Sequence, residues 1–418
     1  LALDEEIYSM YAGIRSKVLT GAQVSLDVRT VRTETNSVFA TLVPSYTSDL
    51  ILTVSHPLLR GFGPGFNLSK IVLANNNRDI SELDFEQAVA STLSDVQQTY
   101  WELVFAIENL KVARTSLQRA ERFLQETRAR VEVGVLAPVE ILAAEAEVAA
   151  REEAVIVAEG LVKSVEDQLR RLINPYNRPE LWGLSIIPTD EPPFIQQRVS
   201  LEESLTLAFD KRWEYRKAKI DLENRHILVK VAQNSTLPRV DLRGSFGLNG
   251  LAGSPAPGLG ATTMQGDYGQ SFHELLSGDF YRLGAGLVFE FPLGNRAARS
   301  QLTKRRLEVL KALASIKNLE LGIEVEVRDA VRQIGIDLNR VKATRKAQEL
   351  ALEKLKAEEK KFEVGISTAF NVLQYQEDLA QAERNQLRAI TDYNKSLVRL
   401  DLVRGLINQA NRIGFERT

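Results

Sequence analysis

The fold is decided by a stretch that occurs twice in the chain, VEVGVLAPVEIL at residues 131–142 and FEVGISTAFNVL at residues 362–373. The two glycines, Gly134 and Gly365, lie 231 residues apart, and the same offset aligns the residues on both sides of them. Glycine adopts positive φ at little cost, so each glycine indicates a tight turn after a helix. The repeat therefore predicts one helical hairpin used twice, with tips at residues 133–138 and 364–369.

The helices that lead to these tips are predicted to be very long. Proline is absent from residues 67–130 and again from residues 295–361. At a rise of 1.5 Å per residue, each segment forms a helix of about 95–100 Å. The helices that return from the tips, at 138–173 and 369–408, are roughly half as long.

The spacing of apolar residues indicates how these helices pack. Steps of four and three along the first long helix form a heptad seam, which is typical of coiled coils. Its members are Ala106, Leu110, Ala113, Leu117, Ala120, Leu124, Thr127 and Val131. The return helix carries a matching seam from Ile141 to Leu172, interrupted only by Arg151. A second stripe of alanines between Ala143 and Ala150 favours packing on both sides, into a sheet or cylinder of helices, although a free two-helix coiled coil remains an alternative.

Between the hairpins the apolar period changes to two, which predicts β-strands. Such strands are expected around 24–28 and 50–54, at 238–249 and at 280–291, and Tyr8–Leu19 is interpreted as a leading strand. One apolar face and one charged face suit an outer-membrane barrel strand, and they equally suit a soluble sandwich. Residues 249–279, which are rich in glycine, are interpreted as a long exposed loop. Interfacial aromatic residues are expected near the strand ends, at Phe39, Tyr46, Phe280 and Tyr281.

The repeat also sets the domain organisation. The first repeat spans 1–174, a linker spans 175–199 with its join at Pro175–Pro193, and the second repeat spans 200–418. The second repeat opens with a helix from Ser200 to about Asn234, and Ser200 with Glu203 fits a capping box. The first repeat is expected to lack a counterpart of this helix, although residues 3–6 weakly resemble residues 201–203. Because the chain begins at Leu1 without an initiator Met, a processed or trimmed start is expected.

Composition excludes several classes of function. With 53 Lys and Arg against 55 Asp and Glu, the charge is −2 and gives no reason to expect a nucleic-acid partner. The sequence contains no cysteine, and its three histidines lie far apart, so no metal site is predicted. No phosphate-binding loop or nucleophile elbow occurs, so neither a cofactor nor enzyme activity is expected. No run of about 18 apolar residues predicts a membrane-spanning helix.

Taken in order, these motifs resemble the TolC family of outer-membrane efflux and secretion channel proteins. The resemblance is carried by the two Val-Gly tips, by SLEESLTLA at 200–208, by LPRVDL at 237–242 and by FPLGN at 291–295. PLLRGFG at 57–63 occupies the equivalent strand-to-helix junction of the first half. The resemblance covers nearly the whole chain apart from the missing opening helix.

The resemblance implies a homotrimer that shares one transmembrane β-barrel and one α-barrel of coiled-coil helices in the periplasm of a Gram-negative bacterium. It implies a passive conduit that exports drugs, small molecules or proteins in a tripartite efflux or type I secretion system. The expected partners are outer-membrane lipid, a periplasmic adaptor (a membrane fusion protein) and, through it, an inner-membrane RND or ABC transporter. Val133, Gly134, Val364 and Gly365 would contact the adaptor.

The resemblance also places a periplasmic gate near the tips. The family's acidic positions fall on Asn371 and Gln374, which are neutral, and its basic and tyrosine positions fall on Ser367 and Phe362. Only Glu140 keeps an acid, so it is the main gate candidate. Three copies around a threefold axis would favour cations. Equally, Glu140 can be a solvated acid that the dipole of its helix stabilises.

Two other kinds of protein fit parts of the pattern. Periplasmic adaptors also combine a helical hairpin with β-structure, but they carry one hairpin and this chain carries two. A structural coiled-coil protein of the cell envelope would explain the helices and leave the alternating strands unexplained.

Overall fold

The computed structural model describes residues 3–173, 182–189, 194, 196–256 and 264–414. Within them the chain is mainly helical with one antiparallel sheet, as the sequence predicts. The chain divides into two compact units, one of residues 1–79 and 219–314 and one of residues 80–218 and 315–418. No helix among the described residues is long and apolar enough to cross a membrane.

The first unit is built on a five-stranded sheet in the order β1-β2-β3-β4-β5. The strands are β1 (Glu5–Lys17), β2 (Gln23–Thr35), β3 (Leu42–Pro57), β4 (Arg239–Pro255) and β5 (Tyr281–Glu290). Every neighbouring pair is antiparallel. The leading strand expected at Tyr8–Leu19 corresponds to β1.

The helices are bounded as follows. After the short α1 (Pro64–Asn67) come α2 (Ser69–Glu132), α3 (Val139–Ile173), α4 (Leu201–Lys211), α5 (Trp213–Asn234), α6 (Tyr268–Ser277), α7 (Arg296–Glu363), α8 (Ala369–Arg404) and α9 (Ile407–Ala410). The long helices α2 and α7 contain 64 and 68 residues, close to the lengths expected from the absence of proline. All eight residues of the predicted α2 seam are buried or half-buried.

The expectation of a loop over 249–279 is wrong. Strand β4 continues to Pro255, beyond the predicted end at 249, and helix α6 occupies Tyr268–Ser277. Asp267 caps the start of α6 by accepting a hydrogen bond from the Gly269 N–H, and Gly278 ends it in the left-handed conformation. The glycine-rich composition, which indicated a loop, has another use, because Gly250 in β4 lets α6 approach the sheet closely. A Cβ atom at Gly250 would lie 1.9 Å from the Ser271 carbonyl oxygen.

The single helix expected from Ser200 to about Asn234 is also wrong, because it divides at Arg212. Arg212 adopts an extended conformation between α4 and α5, and its guanidinium is paired with Glu214 and Glu326. The predicted cap is present, since Ser200 Oγ accepts a hydrogen bond from the Glu203 N–H. The linker join at Pro175–Pro193 lies largely outside the described residues, which omit 174–181, 190–193 and 195.

The second unit holds two of the hydrophobic clusters that the structure describes. One joins α7, α8 and α4 and centres on Ile323, Val327 and Tyr393. The other lies near the tips and joins all four hairpin helices through Phe123 of α2, Ala144 of α3, Phe362 of α7 and Leu379 of α8. The second cluster positions the tips relative to each other.

Candidate functional site

The two helix tips have equivalent backbone geometry. Gly134 has φ of 76° and Gly365 has φ of 77°, and a Cβ atom at either would meet nothing within 4 Å. Glycine is therefore needed for its conformation and not for space. The Val135 N–H bonds to the Arg130 carbonyl at 2.8 Å, and the Ile366 N–H bonds to the Lys361 carbonyl at 3.0 Å. These bonds satisfy the last carbonyls of α2 and α7 and fix both turns.

The tips present apolar residues to the surroundings. Val133 is 75% exposed and Val364 is 70% exposed, and both tip glycines are exposed beside them. Three further apolar side chains at the tips are also exposed, namely Val135, Ile366 and Phe370. An exposed apolar end of this kind is typical of a surface that contacts another protein.

Phe362, which the sequence places at a gate position, lies in the interior of the tip region. Its side chain is 4% exposed and its ring centroid lies 5.3 Å from that of Phe123. The Arg130 guanidinium lies 4.8 Å from the Phe362 ring centroid, and Nη1 of Arg130 donates to the Phe362 carbonyl at 3.2 Å. Phe362 therefore joins α2 to α7 by packing.

Ser367 and Asn371 are brought together, and they share a partner that the sequence analysis missed. Ser367 Oγ donates to Glu358 Oε1 at 2.6 Å, and Asn371 Nδ2 donates to Ser367 Oγ at 3.3 Å. Lys361 Nζ donates to Glu358 Oε2 at 3.0 Å. The hydrogen bond from Ser367, and then that from Lys361, lower the pKa of Glu358. The signal was a carboxylate just under two turns before the tip, within reach of a serine in the turn that follows.

The other two gate candidates stand apart from this cluster. Glu140 lies in the first turn of α3 and is half-buried, and its backbone N–H bonds to the Ala137 carbonyl at 3.1 Å. Gln374 is exposed on α8. Within the described part of the chain, neither side chain makes a hydrogen bond to Ser367 or Asn371.

A cavity of about 230 Å³ lies beside Phe362, between α2, α7 and α8. Three carboxylates line it, namely Glu126, Glu359 and Glu363. Burial raises the pKa of Glu359, and Glu126 raises it further; Arg119 opposes this and Glu363 adds to it. The ionised form of Glu359 is therefore disfavoured in the folded tip region.

We expect Glu359→Gln to stabilise the helical tip region at pH 7, by no more than about 1 kcal/mol because solvent screens a half-exposed carboxylate. A raised pKa means that the folded state holds the proton more tightly than the unfolded state, so the parent gains stability as the pH falls through that pKa. The advantage of the variant should therefore shrink on acidification, as followed by thermal unfolding between pH 7 and pH 4. The exposed Glu153→Gln on α3 serves as the control, and an advantage that grew at low pH would contradict the assignment.

Arg151, the one interruption of the α3 seam, is buried and paired. Its guanidinium contacts the carboxylates of Glu147 on its own helix and Glu377 on α8. Arg384 lies near the same Glu377 carboxylate, at 3.7 Å. The interruption is therefore an ion-pair connection between α3 and α8.

The sheet of the first unit has two unlike faces. Residues opposite one another across a sheet share a face, so the register places Leu26, Leu52, Phe246 and Leu283 in one apolar row. The next row, on the other face, carries Asp27, Ile51, Gly247 and Arg282. Three more charged residues fall on that second face, namely Arg29, Asp49 and Arg243. The apolar residues are exposed, which indicates an apolar medium on one side of the sheet and water on the other.

Comparison with known proteins assigns the chain to a family. The family model described as "Outer membrane efflux protein" matches residues 15–175 and 206–406, which is most of the chain. The chain belongs to the outer membrane efflux protein family. The resemblance to TolC proteins noted from the sequence is thereby confirmed.

Individual relatives of this efflux protein agree with that assignment. Outer membrane protein TolC of Escherichia coli is 21% identical over 359 residues, which cover 84% of this chain and 69% of TolC. The outer-membrane channel OprN has a similar fold, with a TM-score of 0.68 at 19% identity, covering 96% of this chain and 81% of OprN. The outer membrane protein VceC from Vibrio cholerae gives a TM-score of 0.67 at 17% identity, covering 96% of this chain and 87% of VceC. The chain is therefore an outer-membrane protein of a Gram-negative bacterium, and OprN is described as an outer-membrane channel.

Proposed function

We propose that this protein is the outer-membrane channel of a tripartite efflux or type I secretion system, a passive conduit without enzyme activity. The observation that carries the proposal is the sheet with one exposed apolar face and one charged face, in a chain whose family belongs to the outer membrane. Five strands of one chain are too few to close a barrel around a channel, so we infer that the strands of a homotrimer share one β-barrel. The charged face would then line the water-filled interior.

The exposed tips support the partners in this proposal. The apolar surface formed by Val133, Gly134, Val364 and Gly365 would contact a periplasmic adaptor, which connects the channel to an inner-membrane RND or ABC transporter. That transporter would supply the energy, because no phosphate-binding or catalytic arrangement was found in the sequence. Drugs, small molecules and secreted proteins are the classes of substrate. The alternatives of an adaptor or a structural coiled-coil protein lose support from family membership.

We place the gate at the tips, with Glu140 as its acidic residue. Its half-buried carboxylate makes no side-chain hydrogen bond to another described residue, so it is available to line a passage. Asn371 and Ser367 would act through the Glu358 cluster that fixes the second tip, Phe362 through packing, and Gln374 as a neutral lining residue. Three copies of Glu140 around the threefold axis would attract cations and repel one another.

The experiment is single-channel recording of detergent-purified protein in a planar bilayer, with Glu140→Gln compared with the parent. We expect discrete conductance steps, and in the variant a cation-over-anion permeability ratio lowered at least about twofold, because a ring of charge sets the selectivity of a narrow pore. Glu153→Gln, an exposed acid farther along the same helix, serves as the matched control.

The possible outcomes test the channel function and the gate role of Glu140 separately. Steps whose selectivity ignores Glu140→Gln would keep the channel and remove Glu140 from the gate. A closed gate can silence a true channel, so the same sample is also tested for mass and for insertion into liposomes. A monomer that does not insert would contradict the channel itself.

A further inference from the structure

Helix α6 lies on the apolar face of the sheet. Ser48 of β3 and Ser271 of α6 are both fully buried, and their hydroxyl oxygens lie 2.7 Å apart. In the register of β3, Ser48 shares a face with Leu50 and Leu52 and not with Asp49, because side chains alternate along a strand. The helix therefore covers part of the face that also carries the exposed Leu26, Leu52 and Phe246.

The docking of α6 is specific and tight. Gly250, which pairs with Ser48, leaves the space that the α6 backbone occupies. Leu275 is buried against the sheet, and the ring of Tyr268 meets that of Tyr46 edge to face at a centroid distance of 4.6 Å. A helix held by a buried hydroxyl pair, a close backbone approach and an aromatic contact is a fixed part of the sheet surface.

A second apolar flank of α6 points away from these contacts. Phe272 and Leu276 are one turn apart and so share a flank of the helix, and Leu276 is 75% exposed. Polar residues occupy the other positions of the helix, namely Gln270, His273, Glu274 and Ser277. The apolar surface of α6 therefore extends beyond the side that the sheet covers. This pattern is typical of a helix that lies in a membrane interface.

The sheet residues level with α6 are of the types found where a bilayer's hydrocarbon meets its headgroups. Tyr8, Arg32 and Tyr46 lie opposite one another on β1, β2 and β3, on the apolar face. The Arg32 guanidinium lies 5.7 Å from the Tyr8 ring centroid, and Arg32 also pairs with Glu34. Tyrosine and arginine side chains concentrate where hydrocarbon meets lipid headgroups. Below this row, towards the start of the long helices, the same face carries Leu26, Leu52 and Phe246.

We propose that α6 is an interfacial helix, whose exposed flank of Phe272 and Leu276 inserts among bilayer lipids at the boundary between headgroups and acyl chains. The inference rests on the proposed function, in which the apolar face of the sheet is embedded in the outer membrane. Because α6 follows β4 at Pro255, the opposite end of the sheet from Pro57 of β3, which leads into α1 and α2, it marks the bilayer boundary at that end of the sheet. The helix would fix how deeply the sheet sits in the bilayer.

Because the sequence contains no cysteine, a single introduced cysteine is the only site that a thiol-reactive spin label can modify. Leu276→Cys and Phe272→Cys are labelled in the full protein, reconstituted in liposomes of phosphatidylethanolamine and phosphatidylglycerol. Accessibility of the label to oxygen, which partitions into lipid, is compared with accessibility to a water-soluble nickel chelate. His273→Cys on the polar side of α6 and Leu283→Cys on the apolar face of β5 are the matched controls.

We expect the labels at 276 and 272 to favour oxygen several-fold over the label at 273, and the label at 283 to favour oxygen most. A label at 276 that is as accessible to nickel as the label at 273, beside a lipid-exposed label at 283, would overturn the interfacial helix and leave the embedded sheet intact. An oxygen preference at 273 and 276 that is as high as that at 283 would place α6 deep in hydrocarbon and would also overturn the inference. Exposure of the label at 283 to nickel would refute the proposed function instead.

Discussion

Phe362→Ala is expected to lower the free energy of local unfolding at the helix tips by about 3–5 kcal/mol, the usual effect of removing a buried phenylalanine. Phe362 is almost fully buried, and its ring is in contact with Phe123 and with the Arg130 guanidinium. Alanine would remove all of these contacts and leave a space that the rigid coiled-coil backbone cannot close. Because Phe362 links α2 to α7, the loss should loosen the two hairpins from each other near the tips.

The measurement is amide hydrogen exchange of α7 near residues 350–363, read as opening free energies in the detergent-solubilised protein. Phe370→Ala is the matched control, since Phe370 lies eight residues away and is 66% exposed, and it should change the opening free energy by less than about 0.5 kcal/mol. Phe362→Leu should fall between them, because leucine restores much of the volume. Equal effects of the alanine substitutions at 362 and 370 would show that Phe362 does not connect the helices.

Periodicity predicted the long helices and tips well because both depend on local rules. Absence of proline, a heptad seam and a glycine that ends each long helix are properties of neighbouring residues, and the bounds of α2 and α7 follow from them. The same holds for strand β5, which was expected at 280–291 and is observed at Tyr281–Glu290. The alternation of that strand holds over its length except at Val288.

Helix α6 and the break at Arg212 could not be predicted in this way because both depend on distant contacts. Gly250 indicates a loop when it is read with its neighbours, and its role is apparent only when Ser271 lies against it. Arg212 interrupts a continuous helical pattern, and its guanidinium pairs with Glu326, 114 residues later. Sequence spacing carries no record of such pairs.

In the candidate site, too, features set by neighbouring residues were predicted and features set by distant contacts were not. Alignment of the two tips placed Glu140, Ser367 and Asn371 at a turn, and the structure has turns there. The alignment did not reveal that Glu358 holds Ser367, nor that Phe362 faces the interior, because both depend on how the helices are rotated about their axes. Rotation is set by packing of side chains from all four hairpin helices.

Asp337→Ala is expected to lower the free energy of unfolding of the second unit by about 1–3 kcal/mol, because it removes a buried carboxylate that accepts a hydrogen bond from the buried Ser396 hydroxyl. Asp337 is 1% exposed and occupies a seam position of α7, three residues after Ile334 and four before Val341. Its carboxylate accepts hydrogen bonds from Gln333 Nε2 at 3.0 Å and from Ser396 Oγ on α8. Arg340 Nη1 contributes a third, at 3.2 Å.

Urea unfolding followed by circular dichroism at 222 nm measures the effect, and Asp329→Ala on the same helix is the control. Asp329 pairs with Arg332 as Asp337 pairs with Arg340, but both partners are exposed, so its loss should cost less than about 0.5 kcal/mol. If Asp337→Ala lowers the free energy of unfolding as little as the control does, water replaces the carboxylate and the position is accessible to solvent.

A double-mutant cycle with Ser396→Ala then separates the contribution of the Ser396–Asp337 hydrogen bond from that of the other contacts of the Asp337 carboxylate. If the cost arises because the Ser396 hydroxyl loses its acceptor, removing both groups should recover part of it, with a coupling of about 1 kcal/mol or more. Ser396 has a second acceptor in the Asp392 carbonyl, at 3.0 Å, and Arg340 can still pair with Asp392 at 3.0 Å, so full additivity would assign the cost to the other contacts of the Asp337 side chain. Coupling would identify the Ser396–Asp337 hydrogen bond as one that holds α8 against α7, the two helices that form the second tip, and full additivity would exclude that bond. A polar residue at a seam position lowers the stability of a coiled coil. It also fixes the alignment of the two helices, because only one alignment brings Ser396 opposite Asp337.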